Sequence, residues 1–342
     1  MRETVRVLIV DDSMFFREYM AEGLKNQAGI EVVGFANDPY DARDKILELK
    51  PDVLTLDVNM PRMSGIDFLK KLLPQYPIPV VVISSASSNI FDALNAGAVD
   101  FLKKPDIKDK DKDMFFKELA VKIRVSSDVK YINIKPEETR QTVKGVSNIK
   151  DVDKYVIAMG ASTGGTEALF DIISRLPVNL PGIVIVQHMP PVFTKMYADR
   201  LNQQTPFEVK EAEDCDVIKK GRVIIAQGGI QMRIAKKSNE YFVKISGNEK
   251  HSGHCPSVDV LFQSVAETAN GNALGVLLTG MGVDGAKGLL EMKKRGAYTI
   301  GQDEASSVVY GMPKAAYSIG AVSTQLSLAD IPGRIMNYFK NV

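Results

Sequence analysis

Two series of short, near-continuous apolar runs, set either side of a polar stretch at 126–152, constrain this chain more than any other feature. In the first series RVLIV (6–10), EVVGFA (31–36), VLTLDV (53–58), PVVVISS (79–85) and DFLKK (100–104) alternate with helix-like segments and end on the amphipathic MFFKELAVKIRV (114–125). Val/Ile/Leu runs without polar alternation suit strands buried on both faces, and helical crossovers between them demand a parallel sheet. The pattern restarts with YVIAMG (155–160), GIVIVQ (182–187), GRVIIA (221–226), a hairpin pattern around 231–246, ALGVLLTG (273–280) and AYTIG (297–301). The spacing therefore predicts an α/β protein of two doubly wound parallel-sheet domains, residues 1–125 and 153–342. The linker at 126–152 is rich in Lys, Glu, Asp and Thr and contains Pro136 and Gly145.

Charge and cysteine usage remove several function classes. With 43 basic against 42 acidic residues the net charge is +1, so no global field draws the chain to nucleic acid or an anionic membrane. The tail is α/β with no basic stripe, which argues against a DNA-binding output. Two cysteines, Cys215 and Cys255, are too few for a disulfide framework. The start MRETVRVLIVDD has no signal-peptide pattern, and no apolar run reaches the ~18 residues that span a bilayer. A cytoplasmic protein with no direct membrane insertion is expected.

In the second series, strand ends carry candidate chemistry. YVIAMGASTGG breaks at a glycine-flanked serine, Ser162; IVIVQHM places His188 just past a strand; LLTGMGVDGAKGL places Asp284 in a glycine-rich loop before a helix. The carboxyl ends of parallel strands are where open α/β sheets hold their sites. Gly160-Ala-Ser-Thr-Gly164 fits a nucleophile elbow, whose glycines permit a tight turn and keep side chains clear of the serine. Two rivals stand beside it: a phosphate or dinucleotide loop, which lacks the middle glycine and the later acid, and a plain N-cap serine. Only His188, His251 and His254 can serve as a base near neutrality. His251 and His254, in NEKHSGHCP, read as a mobile polar loop; a metal site from them with Cys255 lacks a fourth ligand. His188 has its own bland reading as a core-edge histidine, and Asp284 as a cap of helix 286–295. If Asp284 instead accepts a hydrogen bond from His188, it fixes the tautomer whose other nitrogen takes the serine proton. Separations of roughly 2.6–3.2 Å, looser without substrate, are expected.

The first series ends its strands on Asp11 and Asp12, Asp57, Ser84 and Lys104. Carboxylates converging on one edge repel unless a cation joins them, and Mg²⁺ with its preference for oxygen is the natural one. Asp57 could then attack a phosphoryl group, with the metal and Lys104 offsetting the charge. The alternative is that Asp11 and Asp12 cap a helix and Lys104 is a surface residue.

Through VLIVDDS (7–13), LTLDVNMPRMSGIDFL (54–69), VVISS (81–85) and AGAVDFLKKP (96–105), the first half resembles response-regulator receiver domains. That resemblance implies a flavodoxin-like fold, phosphorylation of Asp57 by a sensor histidine kinase, and Mg²⁺ held by Asp12, Asp57 and the Asn59 carbonyl with Asp11 assisting. It also implies that Ser84 and Lys104 contact the phosphate. Between Ser85 and Gly97 the chain is about one helical turn short, leaving NIFDALNA as helix four on the usual switching face.

The second half resembles the catalytic domain of chemotaxis protein-glutamate methylesterases. GASTGGTEAL (160–169), PGIVIVQHMPPVFTKMYADRL (181–201), PSVDVLFQSVA (256–266), LLTGMGVDGAKGL (277–289) and TIGQDEASSVVYGMPKAA (299–316) carry the likeness. It implies a Rossmann-like domain with Ser162 as nucleophile, His188 as base, Asp284 as its orienting partner, the Met281 N–H as an oxyanion donor and Thr163 lining the site. Gln227 and Gln231 stand where the family commonly has proline and histidine, and Cys255 replaces a more usual basic or polar residue; variation at the two glutamines should be tolerated. The implied reaction is hydrolysis of γ-glutamyl methyl esters on methyl-accepting chemoreceptors, with deamidation of glutamines, and no cofactor for the ester step. The phosphodonor would be the sensor kinase, and the unphosphorylated receiver would occlude the Ser162 cleft. The competing reading is an idle receptor-binding module with the receiver as a phosphate sink.

Overall fold

A computed structural model of the chain describes residues 4–85, 90–105, 112–129 and 152–341, which form two compact units, residues 1–136 and 137–342. In the first, the elements run β1 (Val5–Val10), α1 (Met14–Lys25), β2 (Ile30–Ala36), α2 (Pro39–Leu49), β3 (Val53–Leu56), α3 (Gly65–Leu72), β4 (Val80–Ser84), α4 (Ile90–Asn95), β5 (Asp100–Lys103) and α5 (Lys112–Ser127). The five strands are parallel in the order β2-β1-β3-β4-β5, the order an α/β chain adopts when its crossovers cover both faces. Val7, Ile9, Val81 and Ile83 pack on one face against Phe16 and Met20 of α1 and Leu119 and Ile123 of α5. The short helix four expected from NIFDALNA is there as the six-residue α4, while the segment before it, 86–89, and most of the expected linker lie outside the described residues.

The second unit continues, after a 3₁₀ turn at Val152–Lys154, with β6 (Val156–Ala161), α6 (Gly165–Arg175), β7 (Gly182–Gln187), α7 (Phe193–Gln204), β8 (Glu208–Glu211), β9 (Val217–Ile218) and β10 (Arg222–Ile225). It ends with β11 (Met232–Lys237), β12 (Glu240–Ile245), α8 (Val258–Ala269), β13 (Ala273–Leu277), α9 (Ala286–Lys294), β14 (Tyr298–Gln302), α10 (Met312–Ser318), β15 (Thr324–Leu326) and α11 (Ile331–Lys340). Seven strands form one parallel sheet, β15-β14-β13-β6-β7-β10-β8, and β11-β12-β9 form a small antiparallel one. Strands β8, β9 and β15 escape the sequence pattern because EVKE, VI and TQL contain no apolar run. They are an edge strand on each side and a two-residue pairing, positions that need little burial.

One helix ties the second unit together. In α8, Val258, Leu261, Phe262 and Val265 are fully buried among Val156 and Ala158 of β6, Val184 of β7, Met232 and Ile234 of the hairpin, and Leu289 of α9. Each such side chain contributes about 1.5–3 kcal/mol by leaving water, so the position of its first turn is firmly set. Among the described residues no helix is long and apolar enough to cross a membrane.

The turn after β6 depends on Gly164, whose φ of +76° is left-handed and whose added Cβ would lie 2.6 Å from Val308 Cβ. An alanine there costs about 1–2 kcal/mol in backbone strain alone. Gly164→Ala is therefore expected to lower the urea midpoint of the second unit's unfolding, and an unchanged midpoint would contradict the geometry.

Candidate active site

Ser162 is the first residue past β6. Its N–H donates to Thr279 O at 3.0 Å and its carbonyl accepts from Gly165 N at 2.7 Å and from Gln187 Nε2 at 2.9 Å. It does not cap α6, whose N-cap is Gly164 with no side-chain bond. Strands β6 and β7 pair Ala161 with Gln187, and His188 N donates to Ala161 O at 3.1 Å, so serine and histidine leave adjacent strands side by side. On the other flank stands Gly280. A Cβ there would lie 2.7 Å from Ser162 Cβ, which is why this position cannot carry a side chain.

Asp284 is 1% exposed and saturated with donors. Its Oδ2 accepts from His188 Nε2 at 2.7 Å and Val258 N at 2.8 Å, and its Oδ1 from Ser257 Oγ at 2.7 Å and Asp259 N at 3.0 Å. The aspartate does engage a helix N-terminus, but that of α8 rather than of the α9 that follows it, whose N-cap is Gly285. Burial works against its charge; the bonds from His188 and Ser257 and the α8 N–H groups outweigh it and lower the pKa to about 2.

An ionised carboxylate only accepts, so the proton shared with His188 sits on Nε2, and in the neutral form of the ring the lone pair is on Nδ1. That nitrogen is buried without a hydrogen-bond partner. The orphan atom is therefore the one a proton would reach. The histidine–aspartate separation meets the expected range, while the serine hydroxyl makes no hydrogen bond among the described residues. Catalytic bonds of this kind often tighten only around substrate.

Around this line lie the other expected residues. The Met281 N–H donates to no acceptor among the described residues, and it follows directly on the Gly280 that abuts Ser162. Thr163 is buried, its carbonyl taken by Thr279 Oγ1 at 3.0 Å. Sequence reasoning missed three contributors. Ser257 could have been found, since it precedes the apolar run VDVLF as N-cap of α8. Gln231, expected to be indifferent, is 4% exposed; its Oε1 accepts from Ser257 N at 2.9 Å and its Nε2 donates to Glu249 O at 2.8 Å and His254 O at 3.2 Å. His254, expected in a mobile loop, instead lies with its ring on that of His188. No local pattern announces that contact.

The first unit gathers its own cluster at the ends of β1, β3 and β5. Lys104 Nζ lies 2.6 Å from both Asp11 Oδ2 and Asp57 Oδ2, and 4.5 Å above the Phe16 ring. It is a bridging cation, not a surface lysine. Burial disfavours its charge, yet the two carboxylates raise its pKa; burial raises that of Asp11. Neither Asp11 nor Asp12 caps α1, a role taken by Ser13, whose N–H donates to Asp11 Oδ1 at 2.9 Å. Carboxylate oxygens of Asp11, Asp12 and Asp57 all lie within 4.8 Å of one another, a hard donor set that suits Mg²⁺. Asn59 N donates to Asp57 Oδ1 at 3.2 Å, and the fully buried Ser84 accepts from Lys104 N through its carbonyl at 2.9 Å.

The lowered pKa of Asp284 makes a stability prediction. From 3.8 to about 2 corresponds to roughly 2 kcal/mol. Because the folded value is the lower one, this contribution is complete above pH ~4 and is lost as pH falls through about 2. Urea unfolding of the wild type against Asp284→Asn from pH 5 downward should show a stability gap that shrinks across that window; a gap that does not change with pH would contradict the assignment.

A family model described as CheB methylesterase matches residues 157–335, and one described as response regulator receiver domain matches residues 7–112. A protein-glutamate methylesterase/protein-glutamine glutaminase of Syntrophomonas wolfei is 54% identical over 95% of this chain and 94% of its own length. One from Syntrophotalea carbinolica is 48% identical over 98% of each. The crystal structure of the Thermotoga maritima CheB methylesterase catalytic domain superposes with a TM-score of 0.53 and 37% identity, covering 54% of this chain and 98% of that one. With the parallel-sheet architecture and the strand-end sites in place, these likenesses are decisive: the chain belongs to the CheB methylesterase family, with a response-regulator receiver domain ahead of the methylesterase domain.

Proposed function

We propose that this chain hydrolyses γ-glutamyl methyl esters on chemoreceptors, and deamidates glutamines there, under control of phosphorylation at Asp57. The receiver would occupy residues 1–125, a linker 126–152 and the catalytic domain 153–342. The relatives' names as methylesterase and glutaminase support the reaction class. The single observation that supports the site is the His188 Nε2–Asp284 bond of 2.7 Å beside Ser162, with Nδ1 left as the only basic position.

In this reading the Ser162 hydroxyl oxygen attacks the ester carbonyl carbon as Nδ1 of His188 takes its proton. The negative charge that moves onto the carbonyl oxygen is met by the Met281 N–H, a donor not committed elsewhere among the described residues, and Thr163 lines the site. One such donor is worth about 3 kcal/mol. Imidazolium then returns the proton to the departing methoxide, giving methanol and an acyl-serine; with a glutamine substrate the leaving group is ammonia. Water attacks the acyl carbon with His188 again as base, and collapse restores the γ-carboxylate and the serine. Asp284, held ionised by His188 itself, Ser257 and the Asp259 N–H, stabilises the imidazolium throughout without accepting its proton. The ester step draws on no cofactor.

In the receiver, Asp57 would take a phosphoryl group from a sensor histidine kinase. Asp11, Asp12 and Asp57, with the Asn59 carbonyl, would hold Mg²⁺, which offsets the charge of the transferred group. Lys104 already contacts Asp57 and would follow the phosphate, with the Ser84 hydroxyl turning toward it. The unphosphorylated receiver would occlude the Ser162 cleft and phosphorylation would relieve it.

Two measurements test the proposal. A serine-reactive phosphonate should label the wild type at Ser162, and Ser162→Ala should cut receptor demethylation by roughly 10⁶-fold, as for other triad nucleophiles; an unaffected variant would leave only the receptor-binding reading. For regulation, the full chain with and without a small phosphodonor is compared with residues 150–342 alone. The unphosphorylated full chain should be slowest, and equal rates in all three would reject the control.

A further inference from the structure

A histidine tethered through one nitrogen can still rock about that contact, and the His188 ring is tethered only at Nε2. What fixes its plane is a second imidazole. His254 lies face to face with it, ring centroids 3.7 Å apart and planes 7° from parallel. The stack is built, not incidental. His251 and His254 exchange backbone hydrogen bonds of 2.9 and 3.0 Å across Ser252 (φ +53°) and Gly253 (φ +86°), closing a tight two-residue turn. Gln231 Nε2 holds the His254 carbonyl, and Gly229 N donates to Cys255 O at 3.1 Å. Three residues further on, Ser257, Val258 and Asp259 supply the donors that hold Asp284. A single pinned segment, 254–259, therefore grips the base on its face and grips the base's partner as well.

We propose that His254 is a positioning residue for the reaction: its ring, stacked on His188, keeps the base in the plane where Nδ1 can exchange a proton with Ser162. This rests on the hydrolase reading of Ser162 and His188. The flat partner also shields one face of the imidazole from water. Because His254 acts on the base, its loss should appear in turnover and not in substrate affinity.

The test compares the full-length wild type, His254→Ala, His254→Phe and Ser162→Ala on a methylated receptor, separating kcat from KM and recording each thermal midpoint. His254→Ala is expected to lower kcat roughly tenfold, about 1.4 kcal/mol, the size of one well-made ring contact, with KM unchanged. His254→Phe refills the stack with a flat ring and should recover most of kcat. Wild-type kcat in His254→Ala overturns the proposal. So does a phenylalanine variant that melts like the wild type and stays slow, which would assign His254 a polar role instead; should the alanine variant not fold, the phenylalanine variant decides alone. Full turnover by Ser162→Ala would instead overturn the hydrolase reading itself, whatever His254 does.

Discussion

The catalytic half depends on one interaction, the seating of the Asp284 carboxylate on the first turn of α8. A helix N-terminus presents unpaired N–H groups and a partial positive charge. Asp284 supplies the missing acceptor to Val258 and Asp259, while His188, Ser257 and the Asp259 N–H together sustain the ionisation that burial would otherwise suppress. The helix is anchored by Leu261, Phe262 and Val265 deep in the core, so the carboxylate inherits its position from apolar packing well away from the site. From that fixed point the His188 tautomer follows, and with it the identity of the nitrogen that can act as base.

The receiver meets the same electrostatic problem with a different solution. There, too, carboxylates are buried at strand ends, but Asp11 and Asp57 share the ammonium of Lys104 on a flexible stem and accept one main-chain N–H each, from Ser13 and Asn59. A side-chain cation can be redirected when charge arrives at Asp57; the N–H groups of α8 cannot leave Asp284. One arrangement suits a switch and the other a permanently primed base. The donors differ accordingly: two N–H groups of a helix N-terminus at Asp284, a shared side-chain ammonium between Asp11 and Asp57.

How much of this could be read in advance follows from range. The parallel sheets were legible because runs such as VLIV (7–10) and IVIV (183–186) bury both faces, and the strand-end positions of Ser162, His188 and Asp284 because glycines and run ends mark them. The edge strands β8 and β15 were not, since a strand with one neighbour can be polar. Gln231 and His254 were not legible either. Their roles arise where the end of the 229–231 segment meets the turn at 251–254, a juxtaposition of residues some twenty positions apart that no periodicity encodes. Local patterns mark the strand-end positions and pass over the contacts made between distant loops.

The claim on which most rests is that Asp284 fixes the proton of neutral His188 on Nε2 and leaves Nδ1 open. Nitrogen-15 NMR of the imidazole, assigned by His188→Gln, reads this directly in the resting enzyme. The account requires a neutral ring protonated at Nε2, with that preference weakened in Asp284→Ala. A neutral ring protonated at Nδ1, or a tautomer balance indifferent to Asp284, would contradict it.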